Sequence, residues 1–185
     1  MKNTKFMILY FNAGATESKS NNSVWEEKKH IEIIKGNIYT TLPHLGKDYL
    51  VSFDVKATSF IGSWQSIVHF TTGGNMKKYG SRTPAIFFNS KRKLHITSAI
   101  NGNKNYYWND PVQRKENEWI NIQISQHITD GVYVYEIRIN GNSVHSVKNN
   151  KPQDFNNVKV YISDPWYFKL NGFIHNLAIR ENGKF

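Results

Sequence analysis

The chain holds no cysteine in 185 residues. That excludes a disulfide scaffold, a thiolate metal centre and a cysteine nucleophile. It leaves the compartment open, because a domain of this length buries enough surface to fold without covalent staples. No apolar run is long enough to cross a bilayer as a helix. No window repeats apolar residues at helical spacing for long enough to build an amphipathic helix. Acids are also few, with 14 Asp and Glu against 24 Lys and Arg, a net charge of +10 at pH 7. Paired carboxylates, which glycosidases hold on either side of the scissile bond, have no good candidates. Glu26 and Glu27 are adjacent and would face opposite ways on a strand, and Glu116 and Glu118 sit beside a turn. The seven histidines are scattered and form no His-x-x-x-His spacing for a metal.

The positive balance favours anionic partners such as acidic glycans, nucleic acid or an anionic membrane surface. The basic residues come in short groups, Lys28-Lys29, Lys77-Lys78 and Lys91-Arg92-Lys93. A solvated surface is the simpler reading of such groups than a dedicated polyanion site. No nucleic-acid motif accompanies them, so no nucleic-acid partner is expected.

What the chain does hold is aromatic residues, 14% of it, and alternating strands. Trp119 to Val147 organises the rest. Ile120, Ile122 and Ile124 alternate with Asn121, Gln123 and Ser125, a period of two. Asp130-Gly131 and Asn140-Gly141 are hairpin turn signals, and they divide the stretch into three antiparallel strands. Further strands are predicted at Ile38 to Leu42 (stopped by Pro43), Tyr49 to Ala57, Ser66 to Thr72, Pro84 to Asn89, Leu94 to Ala99, Tyr106 to Trp108, Asn157 to Ile162 and Gly172 to Arg180. In Ser66 to Thr72 the alternation places Ile67 with His69 on one face, opposite Val68 and Phe70. About a dozen short strands with regular turns predict an all-β fold, an antiparallel two-sheet β-sandwich in one domain.

The N-terminus has two readings. Phe6 to Phe11 forms a first strand, which is the favoured reading. Alternatively residues 1–15 are a signal remnant, with Ala13-Gly14-Ala15 as the cleavage site. Asn21-Asn22-Ser23 is a glycosylation sequon that matters only if the chain is secreted.

The runs NEWINIQISQ, YVYEIRINGNSVHSV and GFIHNLAI resemble the concanavalin A-like lectin/glucanase group, including its laminin-G-like members. The likeness covers about residues 48–180, and GGNMKKYGSRTPAIFF, LHITSAINGNKNYYW and NVKVYISDPWY are similar to an extracellular animal subgroup of it. The resemblance implies a jelly roll that binds glycans, binds proteins or serves as a spacer. It implies an extracellular or cell-surface location and leaves an oligomer open. Glucanases of the group carry Glu-x-Asp-x-x-Glu, which is absent here, so no catalytic residue is assigned. Tyr167 to Gly172 is superficially similar to a strand of jelly-roll polysaccharide lyases, but the other residues of that site are missing. Laminin-G-like domains often hold one Ca²⁺, which makes Asp164 and Asp54 the candidate metal carboxylates.

Sugar binding asks for rings that stack on the C–H face of a pyranose and for amides, carboxylates and arginine that bond its hydroxyls. Three loops supply them. Residues 73–82 hold Asn75, Tyr79 and Arg82; residues 101–108 hold Asn101, Asn103, Asn105, Tyr106 and Trp108; residues 163–167 hold Asp164, Trp166 and Tyr167. For Tyr106 to Trp108, core packing is the simpler expectation. The leading expectation is therefore a non-catalytic, lectin-like module for glycans or glycoproteins, anionic ones included. Its ligand residues would be Asn75, Tyr79, Arg82, Asn103, Asn105, Asp164, Trp166 and Tyr167. The alternative is a protein-interaction or structural module without a glycan site, and a glycan hydrolase or lyase stands third.

Overall fold

The computed structural model describes the backbone of residues 24–27 and the whole of residues 30–181. The first strand or signal remnant and the sequon lie outside those residues. Thirteen strands and no helix make up the described part. Accordingly, no helix there is long and apolar enough to cross a membrane.

The strands are β1 (Val24–Glu27), β2 (Ile38–Leu45), β3 (Tyr49–Ser59), β4 (Gln65–Thr71), β5 (Ala85–Phe88), β6 (Leu94–Ile100) and β7 (Asn103–Asn109). Then come β8 (Trp119–Thr129), β9 (Val132–Ile139), β10 (Asn142–Lys148), β11 (Phe155–Ile162), β12 (Phe168–Lys169) and β13 (Asn171–Glu181). One sheet has the order β1-β13-β3-β8-β9-β10. The other has the order β2-β11-β4-β5-β6-β7, with the two-residue β12 added beside β4. All pairings are antiparallel except that of β12 with β4. This is the predicted two-sheet sandwich.

The organising meander folds as its turns require. Asp130 and Gly131 have φ of 51° and 76°, and Asn140 and Gly141 have 50° and 79°. Positive φ at both central positions twists a hairpin in the same sense as its strands. The alternation then sorts itself. Ile120, Ile122, Ile124, Tyr135, Ile137 and Ile139 face inward and pack on Val51, Phe53 and Val55 of β3. From the other sheet they meet Phe70, Ile86, Phe88, Ile96, Val158 and Val160. Each such aromatic or branched side chain contributes about 1.5–3 kcal/mol by burial.

Two expectations are corrected. Pro43 does not end its strand, because β2 runs on to Leu45. It lies at a sheet edge, where the missing N–H interrupts no ladder on its free side. In β4, Ile67 does not share a face with His69. A bulge between Ser66 and Val68 resets the alternation, so Ile67, Val68 and Phe70 all enter the core. His69 is left on the outer face.

Candidate functional site

The outer face of the β2–β7 sheet carries a row of rings, one from each of five neighbouring strands. They are Tyr161 on β11, His69 on β4, Phe87 on β5, His95 on β6 and Tyr107 on β7. Ladder register creates the row: Tyr161 lies opposite His69, Phe87 opposite His95, and Tyr107 opposite Thr97 two places further along. The ring centroids of His69 and Phe87 are 5.9 Å apart, those of Phe87 and His95 6.2 Å, and those of His95 and Tyr107 5.3 Å.

Loops seat three more rings on this row. Trp166 stands 5.3 Å from His69 and 5.9 Å from Tyr161. Tyr167 lies 4.9 Å from Phe87. Trp64 meets the edge of His95 at 5.0 Å. Phe87 and His69 are thereby covered, while Trp64 is 37% exposed, Trp166 40% and Tyr107 55%. Such half-exposed rings on a rigid floor are what pyranose stacking needs.

Beside the rings sits a polar cluster built around Arg82, whose side chain is buried. Its Nε donates to the Asn75 carbonyl at 3.2 Å, and its Nη1 donates to Asn105 Oδ1 at 2.7 Å. Its Nη2 donates to Asn75 Oδ1 at 2.8 Å and to the Tyr167 hydroxyl at 3.0 Å. The guanidinium also lies over the Phe87 ring, 5.1 Å from its centroid. Arginine has donors only, so the amide oxygens of Asn75 and Asn105 must face it. Thr97 donates a second bond to Asn105 Oδ1, at 3.0 Å, and holds that amide from the sheet side.

A second clasp fixes the 163–167 loop. Asp164 and His69 have no exposed surface. Asp164 Oδ2 bonds His69 Nδ1 at 2.8 Å, and Oδ1 accepts the amides of Trp166 and Tyr167 at 2.9 and 3.0 Å. His69 Nε2 lies 2.7 Å from the Ser81 carbonyl. Both imidazole nitrogens thus face acceptors, so the ring must donate from both. Burial pushes the Asp164 carboxyl up, but the His69 bond and charge and the two amides outweigh it and hold it below the ordinary value.

His95, at the centre of the exposed rings, is held through Nδ1 by Asn109 Oδ1 at 2.7 Å. Burial lowers its pKa, the Asn109 bond offsets part of that, and the Arg82 charge lowers it further. Between the ordinary value of 6.5 and the lower folded value, only the unfolded chain takes up this proton. Its contribution to stability is therefore present above pH 6.5 and lost as pH falls through that window. Urea midpoints measured from pH 7 to pH 5 are expected to fall less for His95→Gln than for the wild type.

Four predicted ligand residues, Asn75, Arg82, Asn105 and Tyr167, converge in the Arg82 cluster. Trp166 stands on the ring row next to it. The other three are placed elsewhere or held inward. Tyr79 turns away, donating to the Ala99 carbonyl at 3.0 Å and packing on Phe155. Asn103 opens β7 and accepts the Asn105 amide at 2.9 Å. Asp164 is buried with both oxygens engaged. Asn101 holds the Lys148 carbonyl at 2.7 Å. Tyr106 and Trp108 pack against the core, as the simpler expectation had it, but Tyr107 between them points to the outer face and is exposed. The candidate calcium carboxylates are not brought together: Asp54 lies on β3, and Asp164 lies in the loop after β11 of the other sheet. Asp54 accepts from Asn121 at 2.7 Å and Asn176 at 2.6 Å. Among the described residues no three His, Asp or Glu side chains gather as a metal site. Glu116 is held by the Phe60 amide at 3.1 Å, and Glu118 pairs with Lys115 on the surface.

Sequence reasoning missed Trp64, Phe87, His95 and Tyr107. An alternation of Ala85, Phe87 and His95, Thr97, Tyr107 against inward residues was present, but two apolar faces on one strand do not reveal which is outer. A cleft of about 460 Å³ lies elsewhere, lined by His30, Glu32, Lys169 and Phe173 among others. The ring row, which joins exposed rings to a convergent polar cluster, is the stronger candidate.

No protein-family model matches the sequence, and no curated protein matches it either. Solved structures do. The Ruminococcus gnavus IT-sialidase CBM40 bound to α2,3-sialyllactose superposes with a TM-score of 0.57 at 13% identity, over 87% of this chain and 93% of that one. A heptameric SAP-like pentraxin from Limulus polyphemus gives 0.52 at 13% identity, over 84% and 75%. Trypanosoma rangeli sialidase gives 0.53 at 7% identity, over 75% of this chain and 21% of that one. At these identities the likeness concerns the jelly-roll fold.

Proposed function

We propose that this domain is a non-catalytic carbohydrate-binding module, acting in secretion or at a cell surface, with the outer face of the β2–β7 sheet as its binding face. The observation that carries the reading is the exposed pair Trp64 and Tyr107, both against His95, beside the Arg82–Asn75–Asn105–Tyr167 cluster. Rings would stack on sugar faces, and the amides and tyrosine hydroxyl would bond the ring substituents. The CBM40 neighbour, whose structure holds sialyllactose, supports the reading by fold alone.

A glycan array followed by calorimetry tests it. Trp64→Ala and Tyr107→Ala are each expected to weaken binding roughly tenfold, with melting temperatures close to wild type. Unchanged affinity in both variants would remove this face from the proposal.

A protein-interaction role is the second reading. It is favoured by exposed Trp119 and Phe173 on the other sheet, with Lys56 Nζ 4.9 and 5.3 Å from their centroids. Self-association that Trp119→Ser abolishes, with no glycan bound, would select it.

A further inference from the structure

We infer that the sugar taken by this face carries a carboxylate, and that the carboxylate binds at Arg82; the inference rests on the glycan-binding reading above. Arg82 is 4% exposed, yet among the described residues no carboxylate lies within ion-pair distance of it. Its hydrogen-bond partners are all neutral: Asn75 twice, Asn105 and Tyr167. A buried charge is ordinarily paired, since removal from water is costly and neutral dipoles offset only part of it. The nearby Asp164 supplies no counter-charge, because His69 already takes it.

The donor count points the same way. Four of the five guanidinium N–H groups are engaged, which leaves one on Nη1. Asn105 directs its oxygen at both Arg82 and Thr97, so its NH₂ must point away from them. Tyr167 accepts from Arg82 and from Asn75 Nδ2, which frees its own O–H to donate. The cluster therefore turns its oxygens toward Arg82 and leaves donors for a ligand. A group that only accepts matches such a set, and the two oxygens of a carboxylate match Nη1–H and the Asn105 NH₂ side by side. The surrounding loops add charge of the same sign. Residues 73–82 and 101–108 contain Lys77, Lys78 and Lys104 and no acid. The Lys104 ammonium is held at the rim by the Lys77 carbonyl, 3.1 Å away.

The test uses array hits in pairs, an acidic oligosaccharide against the same sugar with its carboxyl reduced to the alcohol. The acid is expected to bind at least tenfold more tightly, with the ratio shrinking as salt rises. Asn105→Asp then places a carboxylate against Arg82 from within, keeping acceptors for both Arg82 and Thr97. Its melting temperature should hold or rise, while the acid-to-alcohol ratio falls toward one. Equal binding of acid and alcohol, a preference for sulfated over carboxylated sugars, or an unchanged ratio in Asn105→Asp would each overturn the inference and leave the glycan face standing. Failure of every glycan, acidic and neutral, would overturn the glycan-binding reading itself.

Discussion

Asp164→Ala is expected to destabilise the domain by about 3–5 kcal/mol, the usual penalty for removing one partner of a buried ion pair. No discount for solvent applies, because neither Asp164 nor His69 has exposed side-chain surface. The variant strands the doubly donating His69 ring and leaves the Trp166 and Tyr167 amides without their acceptor. Since those two residues stand on the ring row, ligand binding should fall together with stability. The pH dependence carries the signature. The folded carboxyl titrates below its ordinary value of 3.8, so its contribution is present above that value and is lost as pH falls through the lower folded one. Urea unfolding at pH 7 and during acidification measures both effects. A loss under about 1 kcal/mol, within the range of an exposed pair, would show that the clasp is incidental.

Gly172→Ala is the second large effect. An added β-carbon at this position would lie 2.1 Å from the Lys56 carbonyl oxygen and 3.1 Å from the Ala57 α-carbon. Both obstacles are backbone, so no side chain can swing aside. Strands β13 and β3 would have to part at the register shift between Asn171 and Gly172, in the middle of the sheet. A loss of about 3 kcal/mol or more is expected, at the upper end of overpacking penalties. Amide exchange should report it first at Ile174 and Val55, which pair just beyond the contact. An alanine variant as stable as the wild type would mean that the two strands slide apart without resistance.

The two residues differ in how far the sequence alone reveals them. Asp164 stood out as an acid beside Pro165, Trp166 and Tyr167, and its residue type suggested a ligand or a metal carboxylate. Its partner His69 lies 95 residues away, so the pairing was invisible. Nothing in the one-dimensional pattern marks Gly172 as a close approach, because the obstructing backbone belongs to another strand. Arg82 behaved differently. Its loop position and its neighbours Asn75, Asn105 and Tyr167 were all candidates, and they did converge. Those loops carried amides, rings and a cation, and the 73–82 and 101–108 loops hold no acid.

By itself the sequence determined the all-β class, the meander from Trp119 to Val147 and its two turns. Period-two alternation and positive-φ turn residues are local properties, readable without knowing the partner strand. It also determined the positive balance and the lack of a paired-carboxylate motif. Tertiary structure alone decided which face of the second sheet is outer, that a bulge takes Ile67 into the core, and that Tyr161, His69, Phe87, His95 and Tyr107 form one row. It alone decided that Asp164 is buried against His69 while Arg82, among the described residues, is left without a counter-charge. The physical reason is that these outcomes depend on ladder register between strands far apart in the chain. A shift of one residue in that register would have sent the ring carried by the shifted strand to the opposite face.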